Sequence, residues 1–150
     1  MSLDRVTRHM SDRFLVPYDG SEPATDALEY ALEKFPDADV VALYVVPVPD
    51  GYWGAFPDSD ARGPDIDQAH DIGRNIINEA SQVAADHGRD IETEIATGKP
   101  DHEIVELAET GAYDTIVIGS HGREGISRIL LGSVAENVVR RSPIPVIVVR

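Results

Sequence analysis

Residues 115–139 constrain the fold of this chain more than any other stretch. An apolar run, Thr115-Ile116-Val117-Ile118, leads into the loop Gly119-Ser120-His121-Gly122; nine residues from Arg123 to Leu131 follow, and Gly132-Ser133 then opens a helical pattern. The result is Gly-x2-Gly-x9-Gly-Ser set between an expected strand and an expected helix. Phosphate binding is the chemistry that wants this spacing. Glycine has no Cβ to hold a bulky anion away from the main chain, and it tolerates the positive φ that such a loop needs. Gly132-Ser133 at a helix N-terminus would offer an anion unpaired N–H groups and the positive end of the macrodipole. The pattern is not a Walker A loop, because no Gly-Lys-Ser/Thr follows a four-residue gap. Nor is it the G-x-G-x-x-G fingerprint, which would have to follow the first strand.

The rest of the chain alternates between two periods. Phe14-Leu15-Val16 reads as a short strand ending in Pro17-Tyr18-Asp19-Gly20-Ser21. Ser21 then caps a helix with Pro23 in its first turn. Ala24, Ala27, Leu28, Ala31, Leu32 and Phe35 mark its buried face, and Pro36 ends it. Residues 40–46 are apolar nearly throughout, as expected of a strand covered on both faces. Residues 66–87 predict a helix burying Ala69, Ile72, Ile76, Ala80, Val83 and Ala84, stopped by Gly88. Residues 91–96 alternate apolar and charged, the mark of a sheet edge with one solvated face. Pro100-Asp101 starts a helix with Ile104, Leu107 and Ala108 inward, ending at Gly111; residues 115–118, 133–140 and 146–149 supply a strand, a helix and a last strand.

The order βαβαβαβαβ predicts a parallel sheet with helices on both faces. Ligands of such sheets bind beyond the carboxyl ends of the strands, where the strand order reverses. With strands one and four as neighbours at that point, Asp19 and the Gly119 loop face one crevice.

Composition sets the outer limits. The 150 residues suit one domain with a substantial core. No cysteine is present, which excludes disulfides and thiolate metal sites. Formal net charge is −14, from 27 acidic and 13 basic residues, and among the basic ones only Lys34 and Lys99 are lysine. Such a surface repels nucleic acid and anionic membranes, so neither is expected as a partner. It suits a salt-rich cytoplasm, where cations screen the carboxylates, and it also fits an ordinary acidic protein. No apolar run approaches the roughly 20 residues of a membrane span, and no signal-peptide core opens the chain. The expectation is a soluble, cytoplasmic protein: a flexible tail over residues 1–12 and one domain over 13–150. Residues 47–65, rich in proline, glycine and aspartate, form an irregular loop. Its Tyr52, Trp53 and Phe56 suit either a lid with an aromatic anchor or an insert folded back on the surface.

These residues together resemble the universal stress protein family. Its ATP-binding signature is Gly-x2-Gly-x9-Gly-Ser/Thr, and Gly119, Gly122, Gly132 and Ser133 match it without a gap. Val-Pro-Tyr-Asp-Gly-Ser at 16–21, Asp114-Thr-Ile-Val-Ile-Gly-Ser-His-Gly-Arg and the closing Pro143-Ile-Pro-Val-Ile-Val-Val-Arg150 are similar as well. The resemblance covers residues 13–150 apart from the 47–65 loop. It implies a single-domain, Rossmann-like three-layer α/β/α fold with a five-stranded parallel sheet of order 3-2-1-4-5. It also implies ATP (or AMP or ADP) as ligand, with Mg²⁺ or Mn²⁺ carried on the phosphates. Pro17 and Asp19 would lie at the nucleoside, Asp19 accepting from the ribose hydroxyls or lying near the base, and Val45 would meet adenine through its main chain. Gly119, His121, Gly122, Gly132, Ser133 and Val134 would surround the phosphates. Dimers would pair through the last strand, at Val146 and Val148.

Each residue also has a local reading. Asp19 can satisfy N–H groups in its own turn. Ser133 and Glu136 have the spacing of a capping box. His121 is a phosphate donor or a solvent-exposed loop residue; Arg123 and Arg128 are left out of the site. Hydrolysis needs a group to orient water and, usually, carboxylates holding Mg²⁺ at the γ-phosphate, and in this loop His121 is the only candidate. The chain therefore reads as a nucleotide-binding stress-response module rather than a turnover enzyme. A slow ATPase and a nucleotide-free dimeric scaffold are the alternatives.

Overall fold

The computed structural model describes residues 12–47, 59–120 and 132–150, with side chains in the second helix described from residue 68. Five parallel strands, β1 (Arg13–Pro17), β2 (Asp39–Pro47), β3 (Glu92–Gly98), β4 (Thr115–Gly119) and β5 (Val146–Val149), lie in the order β3-β2-β1-β4-β5. They alternate with α1 (Glu22–Lys34), α2 (Ser59–Asp86), α3 (Pro100–Thr110) and α4 (Ser133–Arg141). The strand order is the one the family resemblance implies, and the alternating α/β fold is the one the element order predicts.

The two-residue period of the strands sorts the core into two layers. Phe14, Val16, Val40, Ala42 and Val117 point to one face, where they meet Ala27, Leu28 and Ala31 of α1 and Ile77, Ala80 and Ala84 of α2. Leu15, Val41, Leu43, Val45, Ile116 and Ile118 point to the other, against Ile104 and Ala108 of α3 and Ala135 and Val138 of α4. β1 sits at the centre, paired through Phe14 with Val40 on one side and Thr115 on the other. β3 is the edge strand that the alternation at 91–96 predicts, but Thr93, expected inward, is exposed together with Glu92 and Glu94.

The second helix departs from its sequence expectation twice. It starts at Ser59 rather than 66, the backbone staying helical through Gly63 and Pro64 within the stretch 47–65 that the sequence predicts as an irregular loop. Proline's fixed φ near −65° is itself helical; what it removes is one donor. The buried stripe is also rotated. Ala80 and Ala84 are buried as expected and Ile76 and Val83 pack half-buried on the core, but Ile72 is 50% exposed, and Gly73 and Ile77 are buried instead. Tyr52, Trp53 and Phe56 lie outside the described residues, as do residues 1–11 of the expected tail.

At its far end α2 is latched to α1. His87 bonds the Val83 carbonyl through Nδ1 (3.0 Å) and the Glu33 carboxylate through Nε2 (3.1 Å). The Arg89 guanidinium donates to the carbonyls of Leu32 and Ala38, each at 2.7 Å. The Val83 carbonyl first, and Glu33 second, raise the His87 pKa above its ordinary 6.5. A raised folded-state pKa means that the His87 contribution is complete below the unfolded value and is lost as pH rises through the folded one. Melting temperature should therefore carry a component that falls across that window above pH 6.5. Melts of His87→Gln at several pH values should lack it.

Candidate functional site

The chain leaves β1 at Pro17 toward one face and β4 at Gly119 toward the other, which opens a crevice between their carboxyl ends. A cleft of ≈ 460 Å³ fills it. Among the predicted site residues, Pro17, Asp19, Val45, Gly119, Gly132, Ser133 and Val134 line this one cleft; His121 and Gly122 lie outside the described residues. Tyr18, Ser21, Leu43, Tyr44, Pro47, Pro100, Ile104, Ile118 and Ala135 complete most of the lining, and the sequence reading assigns none of them to a site. Ile104 and Ile118 form an apolar floor that periodicity cannot tell from core. Pro47 and Pro100 read as element ends, and both line the cleft.

The β1–α1 turn is built on Asp19. Its Oδ1 accepts from the Ser21 N–H at 3.0 Å and from the Ser21 hydroxyl at 2.5 Å, and Gly20 supplies the positive φ of 82°. Ser21 Oγ in turn accepts from the Ala24 N–H at 3.3 Å and caps α1. The local role foreseen for Asp19 is thus present, on a residue that also faces the cleft. Beneath the turn Tyr18 is buried, its hydroxyl 3.3 Å from Thr25 Oγ1. Burial pushes its phenol above the ordinary value of 10.0, so it remains a neutral wall.

Gly119 is glycine for a reason other than anion access. A Cβ there would lie 2.7 Å from the Pro23 carbonyl oxygen and 2.8 Å from its carbon, so the missing side chain lets β4 press on the first turn of α1. Beyond it, the Ser120 carbonyl accepts from the Gly132 N–H at 2.7 Å, which draws together the two ends of the 121–131 segment.

Three helices begin at the cleft, and they differ as anion sites. α1 is capped by Ser21, with the Asp19 carboxylate beside it. α3 opens on Pro100, which has no N–H, and carries Asp101 and Glu103 in its first turn. α4 has Gly132 as its N-cap, and no side chain among the described residues takes up its first-turn N–H groups. The capping box expected from Ser133 and Glu136 is absent. Ser133 is the first helical residue, one place too late to cap, and Glu136 pairs with Arg140 at 3.0 Å instead. The first turn of α4 is therefore the place in this cleft where an anion meets N–H groups and a positive dipole end.

The main chain of Val45 is turned to the cleft by strand geometry, while its side chain is buried. β2 pairs with β1 only as far as Leu43, whose carbonyl accepts from the Tyr18 N–H at 2.8 Å. N–H and C=O of alternate residues point to the same side of a parallel strand. Val45, two residues on, thus turns one donor and one acceptor toward the space that β1 has vacated.

Elsewhere, α3 brings ligand atoms of His102, Glu103 and Glu106 within 4.8 Å of one another, a grouping the sequence reading does not foresee. His102 and Glu106, 3.7 Å apart, are an exposed i,i+4 pair of ordinary kind, and the group carries no site. No helix among the described residues is long and apolar enough to cross a membrane.

The model of the universal stress protein family matches residues 10–150. The chain belongs to the universal stress protein family. A universal stress protein of Methanocaldococcus jannaschii is 34% identical over 151 residues, covering 99% of this chain and 88% of that one. Universal stress protein YxiE of Bacillus subtilis is 33% identical over 153 residues, covering 94% and 100%. Among solved structures, UspA from Lactobacillus plantarum superposes with a TM-score of 0.78 at 29% identity, over 93% of this chain and 97% of that one. A universal stress protein in complex with cAMP gives 0.69 at 28% identity, over 94% and 98%.

Proposed function

We propose that the cleft of this universal stress protein binds an adenine nucleotide, and that the protein acts in the cytoplasm as a nucleotide-dependent stress-response module. One observation carries the reading. The first turn of α4, uncapped among the described residues, and the strand-free main chain of Val45 face the same ≈ 460 Å³ space, so phosphate and base each have a complementary wall. Adenine presents a donor (the 6-amino group) beside an acceptor (N1), which matches one carbonyl and one N–H of the backbone. Ribose falls by Asp19 and Pro17, and the phosphates by Gly119, Gly132, Ser133 and Val134, with His121 and Gly122 joining them from the sequence pattern. Mg²⁺ or Mn²⁺ rides on the phosphates and screens them from a protein of net charge −14. The related protein in complex with cAMP supports a nucleotide as ligand. β5 is a sheet edge, and pairing of two copies through Val146 and Val148 fits it.

The nucleotide-free scaffold has one observation in its favour: Gly119 already has a packing reason to be glycine. Calorimetric titration separates the two readings. In molar KCl, which screens the acidic surface, ATP with Mg²⁺ should bind in the micromolar range, and GTP at least about tenfold more weakly because its base edge reverses donor and acceptor. Equal heats for ATP and GTP would remove the adenine assignment. No heat from either, in protein free of carried-over nucleotide, would leave the scaffold.

A further inference from the structure

Glycine is a poor helix former, so a buried glycine within the 28-residue α2 needs a cause. At Gly73 the cause is Tyr44. A Cβ on residue 73 would lie 2.9 Å from Tyr44 Cδ2, 3.0 Å from Cε2 and 3.5 Å from Val46 Cγ2. Both contacted residues belong to the part of β2 that runs on beyond Leu43, and they flank Val45. On one side that overhang pairs with the edge strand β3, Tyr44 with Ile95, Val45 with Ala96 and Val46 with Thr97. On the other side β1 has ended. The support from the α2 face comes down on the Tyr44 ring at Gly73, and Tyr44 itself lines the cleft. The same contact accounts for the rotated stripe of α2, which buries Gly73 and turns Ile72 outward.

We propose that Gly73 is a positioning residue for the nucleotide cleft: by letting α2 seat on Tyr44 it fixes the end of β2, and with it the main chain of Val45 that reads the base. The inference rests on the nucleotide reading above. Its local half, that Gly73 holds residues 44–47 in place, stands apart from any ligand.

The test compares wild type, Gly73→Ala, Tyr44→Leu and the double variant. Each is titrated with ATP and Mg²⁺ in molar KCl, and amide hydrogen exchange is followed at Tyr44 and Val46 without ligand. Alanine is the better helix former, so a loss cannot come from a weakened helix. Gly73→Ala should bind about tenfold more weakly, the scale of a mild overpacking. Tyr44→Leu in the same chain should restore the affinity of Tyr44→Leu alone, because the smaller side chain gives the Cβ room. Exchange at Tyr44 and Val46 should quicken in Gly73→Ala and recover in the double variant. Wild-type affinity in Gly73→Ala, or a double variant no better than it, would overturn the proposal. If wild type itself binds no nucleotide, the nucleotide reading fails and exchange decides the rest: faster exchange keeps Gly73 as the support of β2, and unchanged exchange overturns that as well.

Discussion

Ser133→Glu is expected to abolish nucleotide binding while leaving the protein as stable as before, or slightly more so. Ser133 is exposed and is the first residue of α4, so a longer side chain there meets no packing among the described residues. A carboxylate in the first turn interacts favourably with the helix dipole, by about 0.3–1 kcal/mol. The same carboxylate competes for the first-turn N–H groups and stands where a phosphate would lie. Two unit charges about 4 Å apart repel by about 4 kcal/mol at an effective dielectric near 20, or on the order of a thousandfold in affinity. Titration with ATP and Mg²⁺ should therefore give no measurable heat, with a melting temperature equal to or above that of wild type. A role for Ser133 as helix cap predicts the opposite sign for stability, a loss of about 1 kcal/mol. Retained micromolar binding would place the phosphates elsewhere.

Gly119→Ala is expected to cause a large loss of stability for a single added methyl group. The new Cβ would meet main-chain atoms of Pro23 at 2.7 and 2.8 Å, and backbone cannot swing aside as a long side chain can. The turn it strikes is fixed by Ser21 Oγ on the Ala24 N–H and by the Ser21 carbonyl accepting from Thr25 at 3.0 Å. Relief requires α1 to lift from the sheet, where Ala27, Leu28 and Ala31 are fully buried. A cost of about 3 kcal/mol follows, or roughly 6–12 °C in Tm for a domain of this size. A variant that melts within a degree of wild type would show that Gly119 serves only ligand approach.

Gly119 also shows what the sequence conveys and what it withholds. The spacing of the glycines, the alternation of strand and helix periods and the apolar stripes of α1 and α3 are local properties, and from them the alternating α/β order can be read. The strand order, and with it the crevice between strands one and four, comes from the family resemblance. The contact between Gly119 and Pro23 joins residues far apart in the chain, and no window of sequence contains it. The rotation of α2 is hidden for the same reason. The apolar positions at 69, 72 and 76 look like one buried face, yet Ile72 is turned outward and Gly73 takes its place against the Tyr44 ring. Ser133 and Glu136 carry the letters of a capping box, but Ser133 already lies inside the helix, one residue past the position such a box requires. Ile104 and Ile118 are indistinguishable in sequence from core residues until the cleft above them is seen. Pro64 misleads in the opposite direction, since its φ suits the helix that its missing N–H weakens.

The central claim is that one cleft receives the base at Val45 and the phosphates at the first turn of α4. Amide chemical-shift mapping in ¹⁵N-labelled protein, with ATP and Mg²⁺ added in molar KCl, tests it most directly, because it locates the ligand as well as detecting it. The largest shifts are expected at Val45, Gly119, Ser133 and Val134, saturating together with one binding constant. Shifts confined to the outer face of α3 or to β5, or a spectrum unchanged at millimolar nucleotide, would contradict it.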